Sequence, residues 1–194
     1  MRFAEVTLAA PLDLRDFYGR KLGLPLDGEA IVVGETRLGF EVEEGDAFYH
    51  FALLVPGDRF NAALAWGRDR VELLGDVFEF ENWDAKAVYF HDPAGNIVEL
   101  IAHHGLEENG HSGGFTAGEL LGFSELGIVG DKADQLRRLE SRGLSLWDGT
   151  MDEPDRLAFV GEKGRTLILA PPGRGWLPTG RPAEPHPVEF VLEP

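Results

Sequence analysis

One carboxylate stands in the middle of an apolar run near the centre of the chain. Glu99 lies within "NIVELIA", a segment of mostly apolar residues that follows directly on a turn sequence. A carboxylate buried among such residues without a partner costs several kcal/mol. We therefore expect Glu99 to be paired, protonated or bound to a metal ion, and the rest of the sequence must supply its partner.

Strand alternation places two other polar residues where they could meet Glu99. Neighbouring side chains of a strand take opposite faces, so residues two apart share one face. In "FAEVTL" the apolar residues flank Glu5, and in "FYHFALL" they flank His50. Glu99 shares its own face with Ile97 and Ile101. We expect Glu5, His50 and Glu99 to lie together on the face of the sheet that carries no helices.

Two carboxylates beside one imidazole would repel each other unless a cation intervened. One nitrogen and two oxygen donors suit Fe, Mn, Zn, Ni or Mg, and three ligands leave positions open for substrate or water. Glu5 would be a third ligand or a general base beside Glu99. A metal-free arrangement stays open, because Glu5 and His50 could simply pair or Glu99 could stay protonated.

Aromatic and polar side chains near this site could shape a pocket for a substrate. Phe48 and Trp83 are the predicted aromatic walls, and Trp176, in a Pro-rich tail, could lie across them. Thr7, Ile97 and Ile101 share the predicted site face and complete the substrate-binding set. Alternatively, each of these aromatic residues packs in the hydrophobic core and contacts no ligand.

The remaining histidines are weaker candidates. His91, in "YFHDPAGN", stands at a strand end where Asp92 and the following Pro and Gly set a bend, so we expect it to serve the turn. His103, His104 and His111 follow the last strand or lie in a linker, and we expect them to be surface residues.

The elements that must position these residues repeat along the chain. The order strand, helix and several strands occurs twice in the first hundred residues, with "LDLRDFYGRKL" and "DRFNAALAWGRDR" as the two helices. A polar, Gly-rich linker follows. A third round then contains the helix "KADQLRRLESRGL" and ends in a Pro-rich tail with one last short strand. Duplication of a small module explains this pattern.

Composition narrows the class of protein. The 194 residues are 43% hydrophobic, which is enough for a sizeable core, and the formal net charge of −16 disfavours nucleic acid and anionic membranes as partners. The absence of cysteine excludes disulfides and thiolate metal sites. The first residues contain no apolar stretch long enough for a signal peptide or a membrane span, so we expect a cytoplasmic protein.

Two stretches, "RDFYGRKLGLPL" and "YFHDPAGNIVELI", resemble signatures of the vicinal-oxygen-chelate superfamily, which includes glyoxalase I, extradiol dioxygenases and bleomycin resistance proteins. The resemblance implies an α+β fold in which paired βαβββ modules form an open, barrel-like sheet around a cleft. It predicts one such domain at 1–103, made of modules 1–45 and 46–103. A linker at 104–117 and a third module-like half at 118–194 would follow.

The resemblance also implies a ligand set, with one residue from the first and one from the fourth strand of each module. The matching positions in the first two modules are Glu5, Gly39, His50 and Glu99, so Gly39 leaves one ligand missing. In the third module Glu125 occupies the slot that corresponds to Glu5, but "RTLILA" offers no carboxylate to match Glu99. We expect that half to act as a cover or an interface.

Three functions follow from these observations. The leading hypothesis is a divalent-metal-dependent enzyme, of isomerase, lyase or ring-cleaving oxygenase type, that acts on a small oxygen-bearing molecule. The second is a metal-free protein that binds or sequesters a small molecule, which the missing ligand at Gly39 favours. The third is an interaction module. A homodimer is compatible with all three, because superfamily members often complete their sheets through partners.

Overall fold

Three segments of the chain each contribute four strands, and a tail adds three more. The computed structural model describes residues 1–194. The first two segments contain β1 (Arg2–Ala10), β2 (Leu26–Asp27), β3 (Ala30–Val33), β4 (Thr36–Val42), β5 (His50–Val55), β6 (Phe78–Phe80), β7 (Ala85–His91) and β8 (Ile97–His103). The third segment and the tail contain β9 (Gly122–Val129), β10 (Leu146–Gly149), β11 (Ala158–Glu162), β12 (Arg165–Ala170), β13 (Gly175–Trp176), β14 (Arg181–Pro182) and β15 (Val188–Glu193).

Each of the three predicted helices exists, but the first differs in type. Asp16–Lys21 is a single π-helical segment, whereas α1 (Phe60–Arg68) and α2 (Lys132–Glu140) are α-helices. Short 3₁₀ turns occupy Glu81–Trp83 and Ala117–Glu119. Both α-helices are nine residues long, and no helix of the chain has the length and apolar character that a membrane span needs.

The strands form two main sheets. The five-stranded sheet has the order β15-β1-β4-β3-β2, and the eight-stranded sheet has the order β10-β11-β12-β9-β5-β8-β7-β6. The eight-stranded sheet curls into a half-barrel, so the predicted α+β fold with a barrel-like sheet is confirmed. β13 and β14 form a separate hairpin.

The modules pair differently from the predicted arrangement. The second module (β5 to β8) shares its sheet with the third (β9 to β12) and not with the first, because β5 and β9 pair as antiparallel neighbours at the centre. In the first module, β1 pairs instead with β15, the last strand of the chain. The predicted boundaries 1–103 and 118–194 therefore cut across the half-barrel.

Strand alternation divides the half-barrel into two faces. Phe51, Val98 and Leu100 belong to a large core that also includes the inner face of the five-stranded sheet and the buried sides of α1 and α2. Ile97, Ile101 and the other residues of the opposite face form a second, smaller apolar cluster on the concave side. Every residue of β5 and β8 is buried, as expected for central strands that are covered on both faces.

The predicted turn before β8 fixes where that strand begins. The Asp92 carboxyl accepts hydrogen bonds from the backbone N–H groups of Ala94 and Asn96, at 3.0 Å each, and Gly95 adopts a positive φ of 82°. The Asn96 side chain in turn accepts a 2.8 Å hydrogen bond from the backbone of Tyr49, next to the start of β5. His91 contacts this turn through Nδ1, which lies 3.2 Å from the Asn96 carbonyl.

Candidate metal centre

Three side chains meet on the concave face of the half-barrel. His50 on β5, Glu99 on β8 and Glu125 on β9 each offer one ligand atom, and these atoms all lie within 4.8 Å of one another. All three residues are buried, with exposed fractions of 5%, 2% and 4%. Since β5 is the neighbour of both β8 and β9, the sheet itself brings the three together.

The His50 ring is oriented by the backbone. Its Nδ1 lies 3.1 Å from the carbonyl oxygen of Ile97, and its Nε2 lies 3.5 Å from a carboxylate oxygen of Glu99. An imidazole that donates Nδ1–H to a carbonyl keeps the Nε2 lone pair free, which is the usual arrangement of a histidine metal ligand. Burial lowers the pKa of His50 to about 4, so the ring is neutral at pH 7.

Both carboxyl groups are unusually basic. Burial raises the pKa of Glu99 well above its usual range, and the charge of Glu125 raises it further, while the neighbouring Tyr89 acts against this rise. Burial also raises the pKa of Glu125 to about 8. Two carboxylates at this separation cannot both be ionised at neutral pH without a compensating positive charge.

These residues fit a divalent cation. The donor set is one neutral imidazole nitrogen and two carboxylate oxygens, the cation would supply the missing positive charge, and the second nitrogen of His50 is already engaged. The fourth position that the module repeat suggests is apolar. The register partner of His50 is Ile97, and Glu99 lies two residues after it. The register partner of Glu125 is Thr166, and the residue two positions after it is Ile168. The chain thus offers three ligands.

Glu5 does not join this cluster, which corrects the predicted ligand set. Glu5 is exposed and lies on β1 in the five-stranded sheet, where it pairs with Arg37 and Val191. Thr7 and Gly39 are paired neighbours on the same sheet and also lie outside the site. The alternation argument assigned the correct faces, but Glu5 belongs to a different sheet.

Glu125 is the site residue that the sequence reasoning missed. The signal was present, because Glu125 occupies the strand position that corresponds to Glu5 in its module. The third module was expected to act as a cover or an interface, whereas it supplies four of the eight strands of the half-barrel and one of the three converging side chains. The superfamily resemblance had implied pairing of the first and second modules.

The predicted aromatic and apolar residues lie on the concave face. Phe48, Ile97 and Ile101 are buried in the smaller apolar cluster, and Trp83 packs against its edge. The Trp176 ring lies over the site, with its centroid 5.0 Å from that of His50. A Cβ atom on Gly127 would come within 2.8 Å of Trp176, so only glycine leaves room for this cover.

His103 differs from the predicted surface residue. It is 1% exposed, it shares the concave face with Glu99, and neither of its ring nitrogens makes a hydrogen bond of good geometry, although a contact with the Trp83 backbone partly opposes the lowering of its pKa. Its ring packs beside Trp83, with centroids 6.3 Å apart, and burial lowers its pKa to about 4. His104 and His111 are exposed, as predicted.

Comparison with known proteins identifies the architecture. No family model matches the sequence, and no curated protein is significantly similar to it. Among solved structures, a candidate dioxygenase from Bacillus subtilis superposes with a TM-score of 0.57 at 17% identity, covering 88% of this chain and 63% of that one. Glyoxalase I from Zea mays superposes with a TM-score of 0.57 at 15% identity, with coverages of 88% and 66%.

The chain has the glyoxalase fold. The two sequence stretches had implied this fold, and the fold is what the chain shares with these structures. The chain spans about two thirds of the length of these structures. In this example of the glyoxalase fold, the converging His50, Glu99 and Glu125 lie inside the half-barrel that the second and third modules build.

Proposed function

We propose that the chain is a divalent-metal-dependent enzyme of the glyoxalase and dioxygenase type that acts on a small oxygen-bearing molecule. The observation that carries this proposal is the convergence of one neutral imidazole nitrogen and two buried carboxyl groups within 4.8 Å. Such a donor set suits Fe, Mn, Zn, Ni or Mg. The glyoxalase fold of the neighbouring structures supports the class of chemistry.

His50, Glu99 and Glu125 would hold the metal, and Glu125 replaces Glu5 in the proposed role of third ligand or general base. A divalent metal held by these residues would supply Lewis-acid chemistry toward substrate oxygens. The Ile97 carbonyl fixes the His50 ring by accepting from Nδ1–H. Glu99 and Glu125 are the carboxyl groups of this cluster, and one of them would serve as the general base that accepts a proton from the substrate.

The walls of the concave face would bind the rest of the substrate. Phe48, Ile97, Ile101 and Trp83 present apolar or aromatic surface on the side that carries the three ligands. Such surface favours a substrate with an apolar body beside its oxygen atoms. Because the three ligands are almost fully buried and Trp176 covers His50, substrate entry requires a movement of the Trp176 cover.

A metal-free binding function is the second candidate. Two observations favour it: the concave face is packed with apolar side chains, and the carboxyl pKa values are raised enough for a protonated, uncharged site. In that case the half-barrel would enclose a ligand without changing its bonds. The presence or absence of bound metal separates the two candidates.

Elemental analysis of the untagged protein tests the proposal. We expect stoichiometric divalent metal in the wild type and its loss in His50→Ala, Glu99→Ala and Glu125→Gln. Glu5→Gln is the matched control, since it removes an exposed carboxylate of the other sheet and should retain the metal. Wild-type protein that stays empty after dialysis against each of the five metals would refute metal dependence. A thermal-shift screen with 2-oxo compounds and small aromatics would then test the binding function.

A further inference from the structure

A second cleft lies beside α2, and none of the three candidate metal ligands lines it. It has a volume of ≈ 350 Å³ and runs between α2, the end of β9 and the last strand β15. Val129, Leu139, Val188 and Phe190 provide its apolar surface. This volume falls within the range of small-molecule sites, and apolar walls with a few polar groups are typical of them.

Two arginines without acidic partners stand at this cleft. Arg138 and Arg142 are four residues apart, both are exposed, and neither forms an ion pair. The Arg142 guanidinium lies over the Phe190 ring, 5.4 Å from its centroid. By contrast, the neighbouring Arg137 pairs with Asp134. The chain contains 34 acidic and 18 basic residues, so two guanidinium groups without acidic partners beside one apolar cleft stand out from its acidic composition.

The cleft also contains buried polar atoms that lack partners. Neither Oε1 of Gln135 nor Nε2 of His186 has a hydrogen bond. The nearest acid to the His186 nitrogen is the half-exposed Glu184, at 3.4 Å and outside hydrogen-bond geometry. Both atoms are closed off from solvent, so a ligand in the cleft reaches them only after these side chains shift, and the anion site is argued from the arginines and the apolar walls.

We propose that this cleft binds an amphipathic organic anion. The anionic group would lie between Arg138 and Arg142, whose planar guanidinium groups suit bidentate contact with an oxyanion. The apolar chain of the ligand would pack on Val129, Val188 and Phe190. This site is independent of the proposed metal-dependent activity.

Calorimetric titration with octanoate tests the inference. We expect saturable 1:1 binding below the micellar range, with the affinity weakened about tenfold or more in Arg138→Gln and Arg142→Gln, because each loses a charge-assisted contact. Arg137→Gln is the matched control, since it removes a neighbouring charge outside the cleft and should bind as the wild type does.

Several outcomes would overturn the proposed anion-binding site. Absence of saturable octanoate binding removes the site, and equal binding of octanol shows that the arginines recognise no charge. An equal loss of affinity in Arg137→Gln would indicate general surface attraction. Glu99→Gln separates this cleft from the concave face: unchanged octanoate binding supports the proposal, and abolished binding would move the ligand to the candidate metal centre.

Discussion

The Tyr18 hydroxyl donates a 2.8 Å hydrogen bond to the buried carboxyl of Asp92. This contact joins the first module to the turn before β8, because the same carboxyl oxygen accepts from the Asn96 side chain at 2.8 Å. Asn96 in turn binds the backbone of Tyr49, next to His50. A residue of the five-stranded half of the molecule thus helps to position two strands that carry the candidate ligands.

Tyr18→Phe should therefore destabilise the protein. The substitution keeps the aromatic ring in the core but leaves one oxygen of Asp92 with fewer donors, which should lower the free energy of unfolding by about 1–3 kcal/mol. Urea denaturation measures the change. A loss below about 0.5 kcal/mol, typical of a surface substitution, would contradict the structural role assigned to this hydrogen bond.

Added divalent metal should stabilise the protein only by binding to His50, Glu99 and Glu125. Ligand binding to the folded state raises the melting temperature, so saturating Mn²⁺, Zn²⁺ or Ni²⁺ should raise that of the wild type and of Glu5→Gln. The same addition should leave Glu125→Gln nearly unchanged. A melting-temperature rise in Glu125→Gln equal to that of the wild type would show that the metal binds elsewhere on the acidic surface.

Gly127→Ala should disturb the Trp176 cover. A methyl group there would come within 2.8 Å of the Trp176 ring and 3.0 Å of the His50 carbonyl, so the ring must move or the strand must shift. Overpacking of this kind costs about 1–3 kcal/mol of unfolding free energy, measurable by urea denaturation.

Gly39→Ala is the matched control for Gly127→Ala. Its added Cβ atom would meet Thr7 at 3.5 Å, an ordinary contact, so we expect a change within about 0.5 kcal/mol. Equal destabilisation by the two substitutions would show that the Trp176 contact is not the cause. Gly39→Ala also tests whether the expected ligand position at Gly39 takes part in metal binding. We expect its metal content to equal that of the wild type.

His103 should make the protein sensitive to acid. Its pKa is about 4 in the folded state and 6.5 in model compounds, so the unfolded chain binds the proton first. The neutral His103 ring therefore makes its whole contribution to the free energy of unfolding above pH 6.5. This contribution, up to about 3 kcal/mol, is lost as the pH falls toward 4. Lys163 is the charged group that adds to this shift.

His103→Phe should remove that part of the acid sensitivity. Phenylalanine fills the same space beside Trp83 and has no unpaired nitrogen, so stability at pH 8 should stay equal or rise. Urea denaturation at pH 8 and at pH 5 measures both effects. If the variant is destabilised at pH 8 and keeps the acid sensitivity of the wild type, the ring nitrogens have a partner that this structure does not contain.

Local sequence patterns predicted the elements and their faces well. Period-two alternation assigned His50 and Glu99 to the side of the sheet opposite the helices, and helical periodicity identified α1 and α2. These features depend on neighbours in the chain, which a sequence displays directly.

The choice of module partners could not be predicted in the same way. Glu5 and Glu125 occupy equivalent strand positions, and local pattern gives no reason to prefer either as the neighbour of His50. The decision depends on the antiparallel pairing of β5 with β9, a contact between strands that are far apart in the chain. The burial of His103 also depends on a contact outside its own strand, because Trp83, in the turn between β6 and β7, covers its ring.

The pairing of β1 with β15 has a consequence for folding and for engineering. Arg2 is the register partner of Glu193, so positions 2 and 193 are neighbours in space. The five-stranded sheet is complete only after β15 has been synthesised, whereas the half-barrel needs nothing beyond Ala170 in its own strands. An engineered variant of residues 1–194 in which a short linker joins position 194 to position 1, and the exposed turn at 152–155 is opened, should therefore keep the native topology.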